Sequence, residues 1–170
     1  MVKGLKQTSS TVAIGFSATE TAPNTFEQAS IDLNLDPLNN EVFVVLAIDL
    51  NPTAPSSVAG QNTEVAASLC STSQTAVQNL SNSNCMADSV LSIRQDPGAT
   101  TGPSFSRIAQ ESPATILDYI GIIATNDFFV QVQGTNNLVT RGVSGKMYGY
   151  RARADASIYA ALVQSEVLSA

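Results

Sequence analysis

The chain has 170 residues, of which 44% are hydrophobic and 13% are charged, and its formal net charge at pH 7 is −6. This composition excludes a disordered chain, and the longest apolar run, 42–48, is too short to cross a bilayer. The sequence has no histidine and no CxxC pair, which argues against a metal site and against the usual acid–base and nucleophilic catalysts. We therefore expect a protein that is not an enzyme, with no catalytic residues, no cofactor and no metal.

Charge is unevenly distributed along the chain. Residues 8–93 contain no lysine or arginine, whereas six of the eight basic residues lie from Arg94 onward. The acidic first half and the basic C-terminal part could attract each other, within one subunit or between copies, or the pattern could be ordinary surface scatter. Because binding to phosphates needs more lysine and arginine than this, direct binding to nucleic acid is disfavoured.

Residues 1–25 are rich in Thr, Ser and Ala, and we predict a partly flexible N-terminal arm with one short strand around Val12, Ile14 and Phe16. The first residues carry charge without the apolar stretch of a signal peptide. We expect either no Sec export or a signal that has already been removed.

The next two strands are predicted at 26–35 and 41–50. The Pro- and Asn-containing segment 36–40 separates them, so we expect an antiparallel hairpin. The second strand is apolar on both faces, which predicts a central strand that is covered on both sides.

The middle of the chain is less regular. We predict a loop at 51–62, a short helix followed by a polar loop within 63–88, a strand at 89–94 and irregular structure at 95–113. Further strands are predicted at 115–124, 128–134 and 138–143.

The most informative stretch is 146–155, where side chains alternate in type along a predicted strand. Tyr148 and Tyr150 share one face with alanines, while Arg151 and Arg153 share the other. Because tyrosine and arginine lie on opposite faces, we interpret the tyrosines as facing the core or an interface and the arginines as facing acids of another strand or subunit. A helix should follow at about 156–168, with Asp155 as its N-cap. The predicted interface set is Arg141, Lys146, Tyr148, Tyr150, Arg151 and Arg153.

Two further pairs of residues have open roles. Cys70 and Cys85 could form a disulfide in an oxidising compartment, or remain as two free thiols. Asp32 and Asp36 could supply oxygen ligands to Ca²⁺, although a solvated strand face is the preferred interpretation.

Taken together, the polar N-terminal arm, the short strands, the long Pro/Gly/Ser/Thr loops, the sparse charge and the closing strand and helix of 145–170 resemble single jelly-roll coat proteins of icosahedral viruses. The resemblance implies an all-β, mainly antiparallel β-sandwich at 26–170, with a C-terminal helix and long loops. It also implies a self-assembling capsid protein of the virion, whose partners are copies of itself and other virion proteins. The chain departs from many coat proteins in lacking a basic arm, since Lys3 and Lys6 are too few to neutralise a genome. This departure suits a shell around an internal membrane or around a genome condensed by other proteins.

Two alternatives remain. One is an extracellular or cell-surface filament or adhesin subunit that assembles by strand exchange. The other is a ligand-binding β-sandwich, which is disfavoured because the chain has no Trp and few aromatic residues.

Overall fold

The computed structural model describes residues 3–95, 103–107, 109–111 and 117–170. These residues form eleven strands, a short 3₁₀ turn at Pro37–Asn39 and one α-helix. The strands are β1 Leu5–Gln7, β2 Val12–Thr19, β3 Glu27–Asp32, β4 Glu41–Pro52, β5 Thr63–Cys70, β6 Cys85–Ile93, β7 Ser104–Arg107, β8 Ala109–Glu111, β9 Gly121–Ile123, β10 Asp127–Thr135 and β11 Gly142–Ala154, and the helix is α1 Ala156–Leu168.

The strands form two antiparallel sheets. In the first sheet β11 lies between β4 on one side and both β1 and β2 on the other, and β8 and β9 extend the far edge of β4. The second sheet has the order β3-β10-β5-β6-β7. In the first sheet β2, β11, β4 and β8 follow one another, and in the second β3, β10, β5 and β6 do, which is the strand order of a jelly roll. The predicted all-β sandwich is confirmed.

β4 is the central strand that its apolar sequence predicts. Val42 and Val44 face the helix, whereas Val45 and Ile48 face the second sheet. The residues that face the second sheet change from odd-numbered to even-numbered because Leu46 is an extra residue in β4. This β-bulge lies opposite the step from Tyr148 to Gly149 in β11. The bulge lets Ile48 and Leu50 face the main core beyond it, while Val42 and Val44 before it belong to the second core.

The main core fills the space between the sheets. The rings of Phe16 on β2 and Phe128 on β10 meet edge to face across it, with centroids 5.8 Å apart. Leu69, Val130 and Met147 are fully buried around them. A second core lies between the outer face of the first sheet and α1.

The predicted C-terminal helix is confirmed at Ala156–Leu168, with Asp155 at the N-cap position but without a side-chain cap hydrogen bond. Ile158 and Leu162 pack on the sheet. Val167 and Leu168 are both exposed. The buried residue in this turn is instead Glu166.

Several other predictions are wrong. The strands at 26–35 and 41–50 do not form a hairpin, since β3 belongs to the second sheet and β4 to the first. The helix predicted within 63–88 is replaced by β5 and the start of β6, and the strand predicted at 138–143 begins only at residue 142. The region predicted to be mostly irregular, 95–113, contains β7 and β8, and its residues 96–102, 108 and 112–113 lie outside the described ranges.

The N-terminal segment carries two strands. β2 pairs with the first half of β11, and β1 pairs with its last three residues. Leu5 of β1 is buried in the second core. Residues 1–2 lie outside the described part of the chain.

Candidate functional site

The six residues predicted to form an interface lie on or next to β11 and are not brought together. β11 has 13 residues and therefore spans about 40 Å. Arg141 lies just before its start, Lys146 and Tyr148 near its middle, and Arg151 and Arg153 near its end. No single patch contains them all.

The two tyrosines of β11 lie in different surroundings. Tyrosines and arginines do lie on opposite faces of β11, but the tyrosine face points away from the second sheet. Tyr148 is exposed, and Tyr150 packs against the second core beside α1. Burial and the negative charge of Asp118 raise the pKa of Tyr150. The main core instead receives Met147 from the opposite face.

Arg141 belongs to a hydrogen-bonded loop cluster at one end of the sandwich. Its Nη2 donates to Ser56 Oγ at 2.6 Å, and its backbone N–H donates to the buried carboxylate of Glu20 at 2.8 Å. The other oxygen of Glu20 accepts the N–H of Gly134 at 2.6 Å. The buried Nε of Arg141 has no hydrogen-bond partner among the described residues. Arg141 therefore holds loops of its own subunit in place.

Arg151 and Arg153 have the same kind of partner at the opposite end of β11. Arg151 Nη2 donates to the carbonyl of Leu33 at 2.7 Å, and Arg153 Nη2 donates to Asn39 Oδ1 at 2.9 Å. These acceptors are neutral oxygens, so both arginines fasten the segment between β3 and β4 to the first sheet. Where the chain is described, the ion pair that forms is Arg94 with Glu64, at 2.7 Å. Pairing of Arg151 or Arg153 with acids of another subunit stays a prediction.

Cys70 and Cys85 occupy opposite positions in the β5–β6 hairpin, and both are buried free thiols. The hydrogen bond between them raises the pKa of Cys70 and lowers that of Cys85. Cys85 also lines a cleft of about 270 Å³ beneath α1. The strand register makes the two cysteines direct neighbours. Both are free thiols in the structure, and a disulfide between them stays a prediction.

The sequence interpretation missed a set of exposed apolar side chains. Each is more than half exposed: Leu38, Leu80, Phe105, Leu117, Leu138, Val139, Val167 and Leu168. Leu38 is the extreme case, at 93% exposed. A leucine between proline and two asparagines in 36–40 was the available signal, because a polar turn has no core in which to bury it.

The outer side of α1 has no charged residue. α1 contains one charged residue, Glu166, and that residue faces inward. Its solvent-facing positions are Ala156, Ser157, Ala160, Ala161, Gln164, Ser165, Val167 and Leu168. A charge-free surface of this kind is typical of interface centres, which are depleted of charge.

The carboxylates considered for Ca²⁺ are used in turns. Asp32 Oδ1 accepts Asn34 N–H and Asn126 Nδ2–H, each at 2.7 Å, and Asp36 caps the 3₁₀ turn. Among the described residues, no group of three or more Cys, Asp or Glu could hold a metal ion. No helix in that part of the chain is long and apolar enough to span a membrane.

No family model and no curated protein sequence matches the chain. Among solved structures, a chain of Desmodium yellow mottle tymovirus is similar to 87% of this chain, over 91% of its own length. The two are 12% identical in sequence and superpose with a TM-score of 0.30. A likeness at that level assigns no family to the chain.

Proposed function

We propose that the chain is a structural, non-enzymatic subunit that assembles with copies of itself as the coat protein of a virion. The observation that carries this proposal is the uncharged, partly apolar exterior of α1 together with the large apolar side chains exposed at both ends of the sandwich.

The exterior of α1 is unusual for a protein that stays monomeric. Single exposed apolar residues are ordinary on a monomer, but a 13-residue surface helix without one outward charge is not. The main core has its own buried apolar residues from both sheets, and the exposed leucines lie outside it. Their burial between copies removes apolar area from water and supplies the free energy of assembly.

The fold suits this role. The two sheets leave loops at both ends and α1 on one face, and each region carries part of the apolar exterior. A subunit with several such regions contacts several neighbours, as a closed shell requires. We place the protein in the virion, beside copies of itself and other virion proteins, and we leave to experiment whether α1 contacts an internal membrane.

One observation supports assembly by strand exchange, the filament alternative. β1 is only three residues long, yet its Leu5 is buried in the second core. A neighbouring copy could supply this strand to the same edge of β11. Negative-stain images distinguish the two outcomes, since strand exchange in one direction gives fibres and the coat function gives closed particles.

Light scattering coupled to size-exclusion chromatography tests the proposal at varied salt and protein concentration. We expect multimers that persist in high salt, because the contacts are mainly apolar. A monodisperse monomer under every condition would refute the coat function and the filament alternative together. The double variant Arg151→Glu/Arg153→Glu tests the notion that these arginines face acids of a neighbour, and unchanged assembly would reject it.

A further inference from the structure

Leu38 projects from a compact turn at 36–40, which we call the knob turn. Its side chain is 93% exposed, although Pro37 and Leu35 beside it line a cleft. On a flexible loop, an exposed leucine side chain would fold back into the cleft beside it. Leu38 does not, because the backbone around it is fixed.

Hydrogen bonds converge on Asp36 to hold the knob turn. Its Oδ1 accepts the N–H of Leu38 at 3.0 Å, its Oδ2 accepts Asn39 Nδ2–H at 2.5 Å, and its carbonyl accepts the N–H of Glu41 at 3.0 Å. Asn40 adopts the left-handed conformation that closes the turn, with φ of 52°. The hydrogen bond from Asn39 also lowers the pKa of Asp36.

Arg153 fixes the turn from the other side through its 2.9 Å hydrogen bond to Asn39. The leucine is thus presented in a set position before any partner arrives, and binding need not order it. Of the residues predicted as interface anchors, Arg153 acts here by positioning Leu38.

The cleft next to the knob turn has a volume of about 450 Å³. Its walls come from the segment before the knob turn, from the turn before β10 and from one side of α1. The lining residues are Leu35, Pro37, Ala124, Thr125, Asn126, Tyr159 and Val163. The volume is within the range of small-molecule sites and therefore has room for a leucine side chain.

Knob and cleft share a rim, since Pro37 lines the cleft and Leu38 is the next residue. A two-fold axis close to this rim would bring the knob of each copy over the cleft of the other. The knob turn has charges of both signs, since Asp36 lies in it, Glu41 accepts the N–H of Asp36, and Arg153 donates to Asn39. A patch of mixed charge is self-complementary under two-fold rotation, because acids of one copy approach bases of the other.

The uncharged outer side of α1 continues from the Tyr159 and Val163 wall of the cleft. It supplies area beyond the knob itself, which a stable interface needs, at roughly 800 Å² on each partner. We propose that the chain forms a two-fold dimer in which Leu38 of each copy fills the cleft of the other. This inference rests on the proposed function and identifies its first contact.

The test compares Leu38→Ala and Leu38→Asp with the control Leu138→Ala. Leu138 is also exposed, but it lies in the loop that precedes β11, whereas the knob turn lies beside the end of that strand. Sedimentation equilibrium measures the dimer dissociation constant. Leu38→Ala should raise it about ten-fold or more for each of the two leucines lost, and Leu38→Asp should abolish the dimer. Leu138→Ala should leave it within about two-fold. Equal effects of Leu38→Ala and Leu138→Ala would mean non-specific apolar association and would overturn the proposal.

A cross-linking experiment tests the same contact without relying on a loss of dimer affinity. In a Cys70→Ser/Cys85→Ser background, Leu38→Cys chains are mixed with longer, tagged Val163→Cys chains and treated with a short bis-maleimide. The proposal predicts a cross-linked band of the two different chains. Assembly without that band, and without sensitivity to Leu38→Asp, would reject the knob and cleft while leaving the coat function standing. A wild-type chain that stays monomeric would reject both.

Discussion

Glu166 is predicted to hold α1 against the sandwich. Its buried carboxylate accepts the N–H of Ala124 at 3.2 Å and the N–H of Thr125 at 2.9 Å, joining the last turns of the helix to the turn before β10. In Glu166→Ala these two amides lose their acceptor beneath the helix. Each buried amide left unsatisfied costs roughly 1–3 kcal/mol, so unfolding should become easier by about 2–4 kcal/mol. Urea denaturation followed by far-UV circular dichroism measures this change.

The pH dependence of Glu166→Gln separates the hydrogen bonds from the charge. Desolvation raises the pKa of Glu166, against the two backbone hydrogen bonds that lower it. The native state therefore binds this proton more tightly than the unfolded state does. Its contribution to the unfolding free energy is greatest below the ordinary value of 4.5 and is lost as pH rises through the raised native pKa. Glutamine keeps an acceptor oxygen and does not titrate, so the stability of Glu166→Gln relative to wild type should increase with pH above 4.5.

The control is Gln164→Ala, an exposed position on the same helix, which should change stability by no more than about 0.5 kcal/mol. A loss below 1 kcal/mol for Glu166→Ala would refute the anchoring role. A difference between Glu166→Gln and wild type that stays constant or falls with rising pH would contradict the assigned effect of burial.

Other predictions follow from the packing of the sandwich. In Gly145→Ala the new methyl group would overlap a backbone carbonyl of β4 and the ring of a core phenylalanine, so the free energy of unfolding in chemical denaturation should fall by about 3 kcal/mol. The control Gly15→Ala, in β2 with open space around it, should leave stability unchanged, and equal effects of the two variants would contradict this reasoning. Asn137→Ala removes a side chain that accepts the N–H of residue 56 at 2.7 Å and donates to the carbonyl of residue 64 at 2.8 Å, so a melting temperature lower by roughly 5 °C or more is expected, and an unchanged one would rule out this bridging role. Diamide should oxidise Cys70 and Cys85 within one chain, seen as a loss of two hydrogens by mass spectrometry and of both thiols in denaturant, whereas dimers linked through sulfur would show that the opposed register is wrong.

The sequence was most informative where one pattern had one structural solution. A strand that is apolar on both faces needs cover on both, and β4 has the second sheet on one side and α1 on the other. The helix at 156–168 was predicted from Asp155 as its N-cap, and it lies there. Both predictions depend on local residues alone.

Which strands pair with each other could not be predicted from the sequence in the same way. The short segment 36–40 predicted a hairpin, but the chain crosses there from the second sheet to the first. Alternation assigns residues to faces and does not say which strand lies alongside. β5 was mistaken for a helix because it is buried on both faces and rich in small residues, so neither period is visible in it.

The candidate site was missed for a related reason. In β11 the alternation separated the tyrosines from the arginines, but the face toward the main core carries Met147 and two glycines. Alternation alone does not reveal which face is covered by the second sheet. Leu38 gave a signal in its polar turn, but the cleft beside it is built from three segments far apart in sequence.

The central claim is that this chain assembles with copies of itself, and the most direct measurement is the mass of the purified wild-type protein in solution. Light scattering across protein concentration should show species of many times 17.8 kDa, in exchange with a dimer at low concentration. Negative-stain images of the largest species should show closed particles. A single species of 17.8 kDa at every concentration and salt would contradict the account.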